Sequence, residues 1–320
     1  MACVNEAAMD RRNKAIEGEN MKSTEFLSLA WFGIKEILLK SEKPILGTII
    51  LTDYCNLSCK HCSVNNINKR MYPYRDIREE MEKLYKLGIR ILFFCGGETF
   101  LWKDKGKDVR DLVREAKHMG FYLVNVVTNG TEGIGIPEAD VIFLSIDGTR
   151  NTHNLIRGDT YDRIMENLDR AVGCNVCLYM AVNNLNYREV EEVGALAKDH
   201  PNIRSISFNF HTPYQGTRHM ALTLEQKKET VARIKGMIKA GFPVFNLYSA
   251  LDVYLRNTWK RPCHQCMVSE DGIRYICGRC VDIPGLCSEC GYLFAAEFSL
   301  LFRGNIRIIY EMLKTYLRYI

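Results

Sequence analysis

Thr52-Asp53-Tyr54-Cys55-Asn56-Leu57-Ser58-Cys59-Lys60-His61-Cys62-Ser63 sets the reading of the whole chain. Cys55, Cys59 and Cys62 form a Cys-x3-Cys-x2-Cys loop directly behind the apolar run Pro44–Leu51. Three thiolates this close in sequence can converge on one metal centre. An iron–sulfur cluster usually takes four cysteines, so three leave one iron with an open position, much as catalytic metal sites keep one. A loop that follows a strand is also where barrel enzymes place their chemistry. The competing readings are a cysteine-rich zinc loop and three buried thiols. Zinc sites are built from paired knuckles, and this is a triplet.

Outward from that loop, apolar runs alternate with helical patterns from residue 45 to 210. Ile45–Thr52, Ile89–Cys95, Tyr122–Thr128, Asp140–Ile146, Val176–Val182 and Ile203–Asn209 read as six strands. Helical patterns lie around 76–87, 107–119, 160–172 and 187–199, with a shorter connection near Ile136–Ala139. The alternation predicts an α/β fold, a parallel sheet with covering helices. Six units suit a partial (β/α)6 TIM barrel. Before it, Ser23 or Thr24 can cap a helix running to about Lys40. Its face of Phe26, Leu27, Ala30, Ile34, Ile37 and Leu38, widened by Trp31 and Phe32, is expected to plug the bottom of the barrel.

Most strands end in polar or glycine-rich signatures: Cys95-Gly96-Gly97-Glu98, Thr128-Asn129-Gly130 and Ser145-Ile146-Asp147-Gly148. Paired glycines let the backbone approach a ligand, and the Glu98 carboxylate can accept a hydrogen bond from an ammonium group. Taken alone, Asn-Gly and Asp-Gly are turn formers. His153 reads as a surface or loop-packing residue. Cys174 and Cys177 read as buried thiols on opposite faces of a strand. Asn209, His211 and Tyr214 follow the sixth strand without an assigned role.

Composition bounds the rest. A chain of 320 residues, 47% hydrophobic and 25% charged, is ordinary for a globular protein. A net charge of +5 is too mild to imply nucleic-acid binding. No apolar run reaches the roughly 18 residues of a spanning helix. The N-terminus lacks the order of a signal peptide, so the 13 cysteines read as cytosolic thiols and metal ligands.

The three-cysteine loop resembles the radical S-adenosylmethionine (SAM) superfamily, whose motif is Cys-x3-Cys-x-aromatic-Cys with His61 here at the aromatic position. The resemblance implies a [4Fe-4S] cluster on Cys55, Cys59 and Cys62 whose open iron chelates SAM. An electron from a donor such as flavodoxin or ferredoxin would then yield a 5′-deoxyadenosyl radical that removes a substrate hydrogen. Gly96, Gly97 and Glu98 resemble the family's Gly-Gly-Glu motif, which contacts the methionyl amino group; Cys95 and Thr99 replace its usual outer residues. By the same resemblance Asn129 and Ser145 line the cofactor and substrate pocket, beside His61. Relatives modify ribosomal peptides, sugars, tetrapyrroles, cofactor precursors and lipids. The roughly 45 residues before strand one look too few for a leader-binding domain, which leans toward a small-molecule or lipid substrate, with a ribosomal peptide as the alternative. A non-catalytic iron–sulfur or zinc-binding interaction protein is the reading from a different class.

Beyond Thr223, which can cap a helix to Ala240, a strand Pro243–Leu247 and a helix over 249–258 are expected. Cys263, Cys266, Cys277, Cys280, Cys287 and Cys290 then crowd into one short segment. Paired Cys-x2-Cys knuckles alone suggest a zinc ribbon; the longer spacing resembles the SPASM and twitch auxiliary-cluster extensions. That resemblance implies one auxiliary [4Fe-4S] cluster on Cys263, Cys277, Cys287 and Cys290, with Cys266 or Cys280 able to replace a member. The tail, read as a helix, puts Arg303, Arg307, Lys314 and Arg318 in one sector. Phe302, Ile306, Ile309, Leu313, Tyr316, Leu317 and Ile320 centre on the other side. Residence at a membrane surface competes with docking on the barrel. The expected organisation is a leader and helix over 1–43, a barrel core over 44–222, a connection over 223–258, the cysteine-rich region over 259–292 and the amphipathic helix over 293–320. The expected location is cytoplasmic, peripheral at the membrane if the tail binds there.

Overall fold

The computed structural model describes residues 23–39, 43–62, 66–261, 263–277 and 283–317. The leader expected over 1–22, Cys280, Arg318 and Ile320 lie outside them, as do the side chains of residues 23–26 and of Cys263. Six parallel strands are laid down in chain order: β1 (Leu46–Ile50), β2 (Ile91–Cys95), β3 (Leu123–Thr128), β4 (Val141–Ser145), β5 (Val176–Val182) and β6 (Ile203–Phe210). Each falls on a run expected from the sequence. Burial on both faces makes such runs nearly continuous in apolar residues, since helices cover parallel sheets.

Alternation splits each strand between two cores. Leu92, Val126, Leu144 and Leu178 face the covering helices α2 (Tyr74–Lys86), α3 (Val109–Met119), α4 (Arg150–Arg157), α5 (Tyr161–Asp169) and α6 (Val190–Asp199). Phe93, Val127, Phe143, Cys177 and Tyr179 face inward with Phe245. The ring of Phe143 lies 5.6 Å from Phe93, 6.0 Å from Tyr179 and 6.3 Å from Phe245. Cys174 packs in the outer core and Cys177 in the inner one, the opposite-face burial expected of that pair. Local sequence fixes the helix ends: Asp108 and Asp111 close a capping box on α3, and Gly120 ends it at φ 93°.

Two strands of the main sheet were not legible beforehand. β7 (Cys266–Glu270) pairs parallel with the free side of β1, Leu46 opposite Cys266, and β8 (Ile273–Ile276) returns antiparallel. The cysteine-rich region therefore enters the sheet itself. Between β6 and β7 lie α7 (Leu224–Lys239), capped by Thr223 as expected, and α8 (Tyr248–Arg256). The strand expected at Pro243–Leu247 is reduced to a single bridge, Val244 to Ile206.

The N-terminal helix α1 (Ser23–Leu38) turns opposite to expectation. Phe32 packs edge-on to Tyr122 at 5.8 Å, near the start of β3, whereas Leu27, Trp31, Ile34 and Leu38 stay exposed. The helix is apolar nearly all round, so its sequence marks no single buried face. The tail also differs, being two helices, α9 (Leu293–Leu301) and α10 (Ile306–Tyr316). Gly304 at φ 70° stops the first, and the Asn305 side chain caps the second at Ile308 N. Ile308 packs on Leu247 and Ala250 with Met312, and Tyr316 meets Phe245 at 5.7 Å, beneath the aromatic interior. Docking thus holds for that face, while Ile306, Tyr310, Leu313 and Leu317 remain exposed.

Candidate functional site

The cysteine loop leaves the C-terminal end of β1 and is pinned by its neighbours. Asp53, fully buried, accepts from Arg70 N at 2.7 Å and from Asn68 N, which folds the returning chain under the loop. Asn66 Oδ1 accepts from Cys55 N at 2.9 Å, and Lys60 N donates to Ile156 O at 3.0 Å. Cys62 N donates to Cys59 O at 3.1 Å, closing a turn between two of the cysteines.

The glycine pair serves this loop directly. A Cβ on Gly97 would stand 2.1 Å from Tyr54 O, and one on Gly96 2.3 Å from Thr52 O. Gly97 N donates to Thr52 O at 2.8 Å and Glu98 N to Tyr54 O at 2.9 Å. The close approach is therefore first to the chain entering the cysteine loop. Glu98 is buried, with Oε1 accepting from Thr128 Oγ1 at 2.6 Å and Phe100 N at 3.0 Å, and Oε2 from Asn129 N at 2.7 Å. One acceptor direction of Oε2 is left over. Burial pushes its carboxyl upward against those donors. Thr99 Oγ1 donates to Val127 O at 2.7 Å, so the whole turn straps β2 to β3.

Asn129 reaches the loop as well: its Nδ2 lies 3.0 Å from Asn56 Oδ1 and 3.7 Å from Cys55 Sγ. Ser145 shares the inward parity of Phe143 at the end of β4. Burial pushes the Cys55 thiol up to about 11, helped by Glu98, Cys59 and Cys62, and burial also raises Cys59, against Arg157. Cysteines ligate as thiolates, so a cationic centre bound there would displace these protons. Among the described residues no three His, Cys, Asp or Glu side chains meet on one ion. Cys55, Cys59 and Cys62 put three thiols, the donor type that iron–sulfur clusters take, on one half-buried loop.

The hub of the site is Asp147, whose weight the sequence understated. Fully buried, it accepts from Arg157 Nε at 2.6 Å and Ala181 N at 2.8 Å, with His61 Nε2 at 3.5 Å. Burial alone would raise its carboxyl, but Arg157, His61 and Ala181 N–H hold it below the usual range. Arg157 also points Nη1 at Cys59 Sγ, 3.7 Å away. His153 and Arg157 sit one helical turn apart on α4; His153 Nδ1 accepts from Asp147 N at 3.2 Å, the packing role expected of it. Burial pulls both His61 and His153 down to about 4, leaving neutral rings. His61 Nδ1 is buried without a partner among the described residues. That acid, with a histidine and an arginine four residues apart behind it, was the available signal.

The cysteine-rich region is tied to the same barrel. Gly291 passes so close to Phe210 that a Cβ would meet its carbonyl oxygen at 1.8 Å. Asn209 Oδ1 accepts from Leu293 N at 2.8 Å, and Tyr254 OH donates to Cys290 O at 3.0 Å. Arg261 bonds Cys287 O at 2.8 Å, making the segment before Cys263 a neighbour of the Cys287–Cys290 turn. Cys277 N donates to Cys266 O at 2.9 Å, with Cys266 buried against Ile45 and Leu46.

The family model of the radical SAM superfamily matches residues 49–197. The sporulation killing factor maturation protein SkfB of Bacillus subtilis is 31% identical over 170 residues, 48% of this chain and 40% of that protein. The 7,8-dihydro-6-hydroxymethylpterin dimethyltransferase of Methanocaldococcus jannaschii is 35% identical over 91 residues, 27% of this chain and 17% of that protein. The chain thus spans less than half of either relative. Among solved structures, Streptococcus suis SuiB bound to its precursor peptide SuiA superposes with a TM-score of 0.61 at 14% identity, covering 85% of this chain and 70% of that one. The likeness to SuiB is one of fold. Family match, cysteine loop and barrel agree that residues 49–197 form a radical SAM domain.

Proposed function

We infer that the protein is a radical SAM enzyme that modifies a ribosomally made peptide. The observation that carries the chemistry is the half-buried Cys55, Cys59, Cys62 loop at the end of β1, braced by Asn129 and faced by the buried Asp147–Arg157 pair. Support for a peptide comes from SkfB, named a maturation protein, and from SuiB, solved with a precursor peptide. Those likenesses outweigh the lean toward a small molecule or lipid that rested on the short stretch before β1.

Cys55, Cys59 and Cys62 would hold the catalytic [4Fe-4S] cluster, which with bound SAM supplies a 5′-deoxyadenosyl radical for hydrogen abstraction. Arg157 places a permanent cation beside Cys59 and favours its thiolate. Asp147 fixes that guanidinium and faces the His61 ring. Asn129 orients the loop at Cys55, and the remaining acceptor direction of Glu98 is available to the SAM ammonium. Gly96 and Gly97 keep the strand ends close enough to hold this geometry, and Ser145 lines the inward wall. The barrel over 44–222 carries this chemistry. The region over 259–292 carries an auxiliary cluster on Cys263, Cys277, Cys287 and Cys290. The cysteine content suits a reducing cytoplasm, with flavodoxin or ferredoxin as electron donor.

Anaerobic reconstitution tests the assignment. The parent should bind about eight irons, four per cluster, and form 5′-deoxyadenosine with SAM and a reductant. Changing Cys55, Cys59 and Cys62 together to Ala should leave about four irons and no product. Undiminished 5′-deoxyadenosine in that variant would sink the site. One zinc and no iron in it would replace the auxiliary cluster by a zinc ribbon.

A further inference from the structure

Two helices at the barrel end remote from the cysteine loop leave apolar stripes uncovered by any described residue. On α1 the stripe is Leu27, Trp31, Ile34 and Leu38; on α10 it is Ile306, Tyr310, Leu313 and Leu317. Both have the spacing i, i+4, i+7, i+11, which confines four side chains to a sector of about 60°. Their exposure runs from 40% at Leu313 to 83% at Ile306. The helices adjoin: a Cβ on Gly304, just before α10, would stand 3.5 Å from Ile37 of α1. Phe32 and Phe302 share one cluster with Ile45 and Ile91 at the N-terminal ends of β1 and β2.

Charge says what covers them. Lys35, Arg303, Arg307 and Lys314 are exposed, whereas Glu36 and Glu311 are partly buried and Glu311 is bonded to Ser249. Lys35, Arg307 and Lys314 stand about 70–90° round their helices from the stripe centres. An apolar stripe edged by cations fits an anionic bilayer surface, with stems lying along the acyl boundary and charges at the headgroups. Two copies of this face would instead oppose like charges. Trp31 and Tyr310 are the ring types that settle at headgroup depth. We propose that α1 and α10 together form a docking surface for anionic membrane, holding the cysteine-loop end of the barrel away from the lipid. This goes beyond the proposed reaction and does not depend on it. It also replaces the tail face expected from sequence, since Tyr316 of that face packs under the barrel and Ile309 is half-buried.

The test is cosedimentation of the full, cluster-reconstituted chain with phosphatidylglycerol–phosphatidylcholine vesicles and with phosphatidylcholine alone. Binding to the anionic vesicles at low salt is expected. So is release at high salt, because the attraction acts within a Debye length of about 8 Å at physiological ionic strength. Neutralising two cations in R307Q/K314Q should lower partitioning about 30-fold. Trp102 and Trp259 are buried, so brominated lipid should quench Trp31 fluorescence, and W31F should lose that quenching. Circular dichroism would verify that these surface variants keep their fold. Failure to sediment with anionic vesicles at low salt overturns the proposal. So does a soluble dimer that I306S/Y310S separates, which would assign the stripes to a second copy.

Discussion

Asp147 shows how one side chain can hold a site that two elements build. Its carboxylate divides between Arg157 of α4, the Ala181 N–H of β5 and the His61 ring. Asp147→Asn preserves the shape and removes the charge, leaving the Arg157 cation buried without its counter-ion. Loss of one partner of a buried pair costs about 3–5 kcal/mol, and urea unfolding should register a loss of that order. A variant within about 0.5 kcal/mol of the parent would mean that water compensates Arg157, and the bracing role would fail. The sequence exposed Cys55, Cys59 and Cys62 because their spacing is itself the chemistry. It hid the rank of Asp147 and Arg157, because an Asp-Gly at a strand end looks like any turn until α4 folds back over it.

At the level of elements, α10 separates a docked face from a free one within three residues. Ile308 is fully buried against Leu247 and Ala250, while Ile306 is 83% exposed. Ile308→Ala should therefore cost about 2–5 kcal/mol and Ile306→Ala no more than about 0.5, compared by urea midpoints. Equal costs would contradict the packing of this helix. The six barrel strands were readable because burial on both faces leaves apolar runs with polar ends, as in Val176–Val182. The hairpin β7–β8 was not, because its cysteines drew the reading to metal ligands while Met267, Val268, Ile273 and Ile276 formed the strands. The faces of α1 and α10 were misjudged for one reason. Apolar residues on both sides of a helix do not say which side the rest of the chain covers.

At the scale of the whole molecule, a buried acid on the C-terminal helices ties stability to pH. Glu297 of α9 accepts from Leu247 N at 3.0 Å and Asn246 Nδ2 at 3.3 Å, and burial pushes its carboxyl from 4.5 up to about 7. Below pH 4.5 the group is protonated folded and unfolded, and it costs nothing. Between pH 4.5 and 7 only the unfolded chain releases the proton, so stability falls, by about 3 kcal/mol in total. Glu297→Gln lacks that slope, so its advantage over the parent should grow by roughly that amount from pH 4.5 to 8 in urea titrations. A pH-independent difference would show that Glu297 is solvated. The pairing of β7 with β1 has a consequence in time rather than in space. Leu46 meets Cys266 across that ladder, so one edge of the first strand waits for a partner more than two hundred residues away. At 5–20 residues per second that is roughly ten to forty seconds of synthesis, during which the nascent barrel presents an open β-edge, a template for wrong pairing. A ribosome stalled before residue 266 would release a chain already holding its radical SAM cysteines but unable to close its sheet.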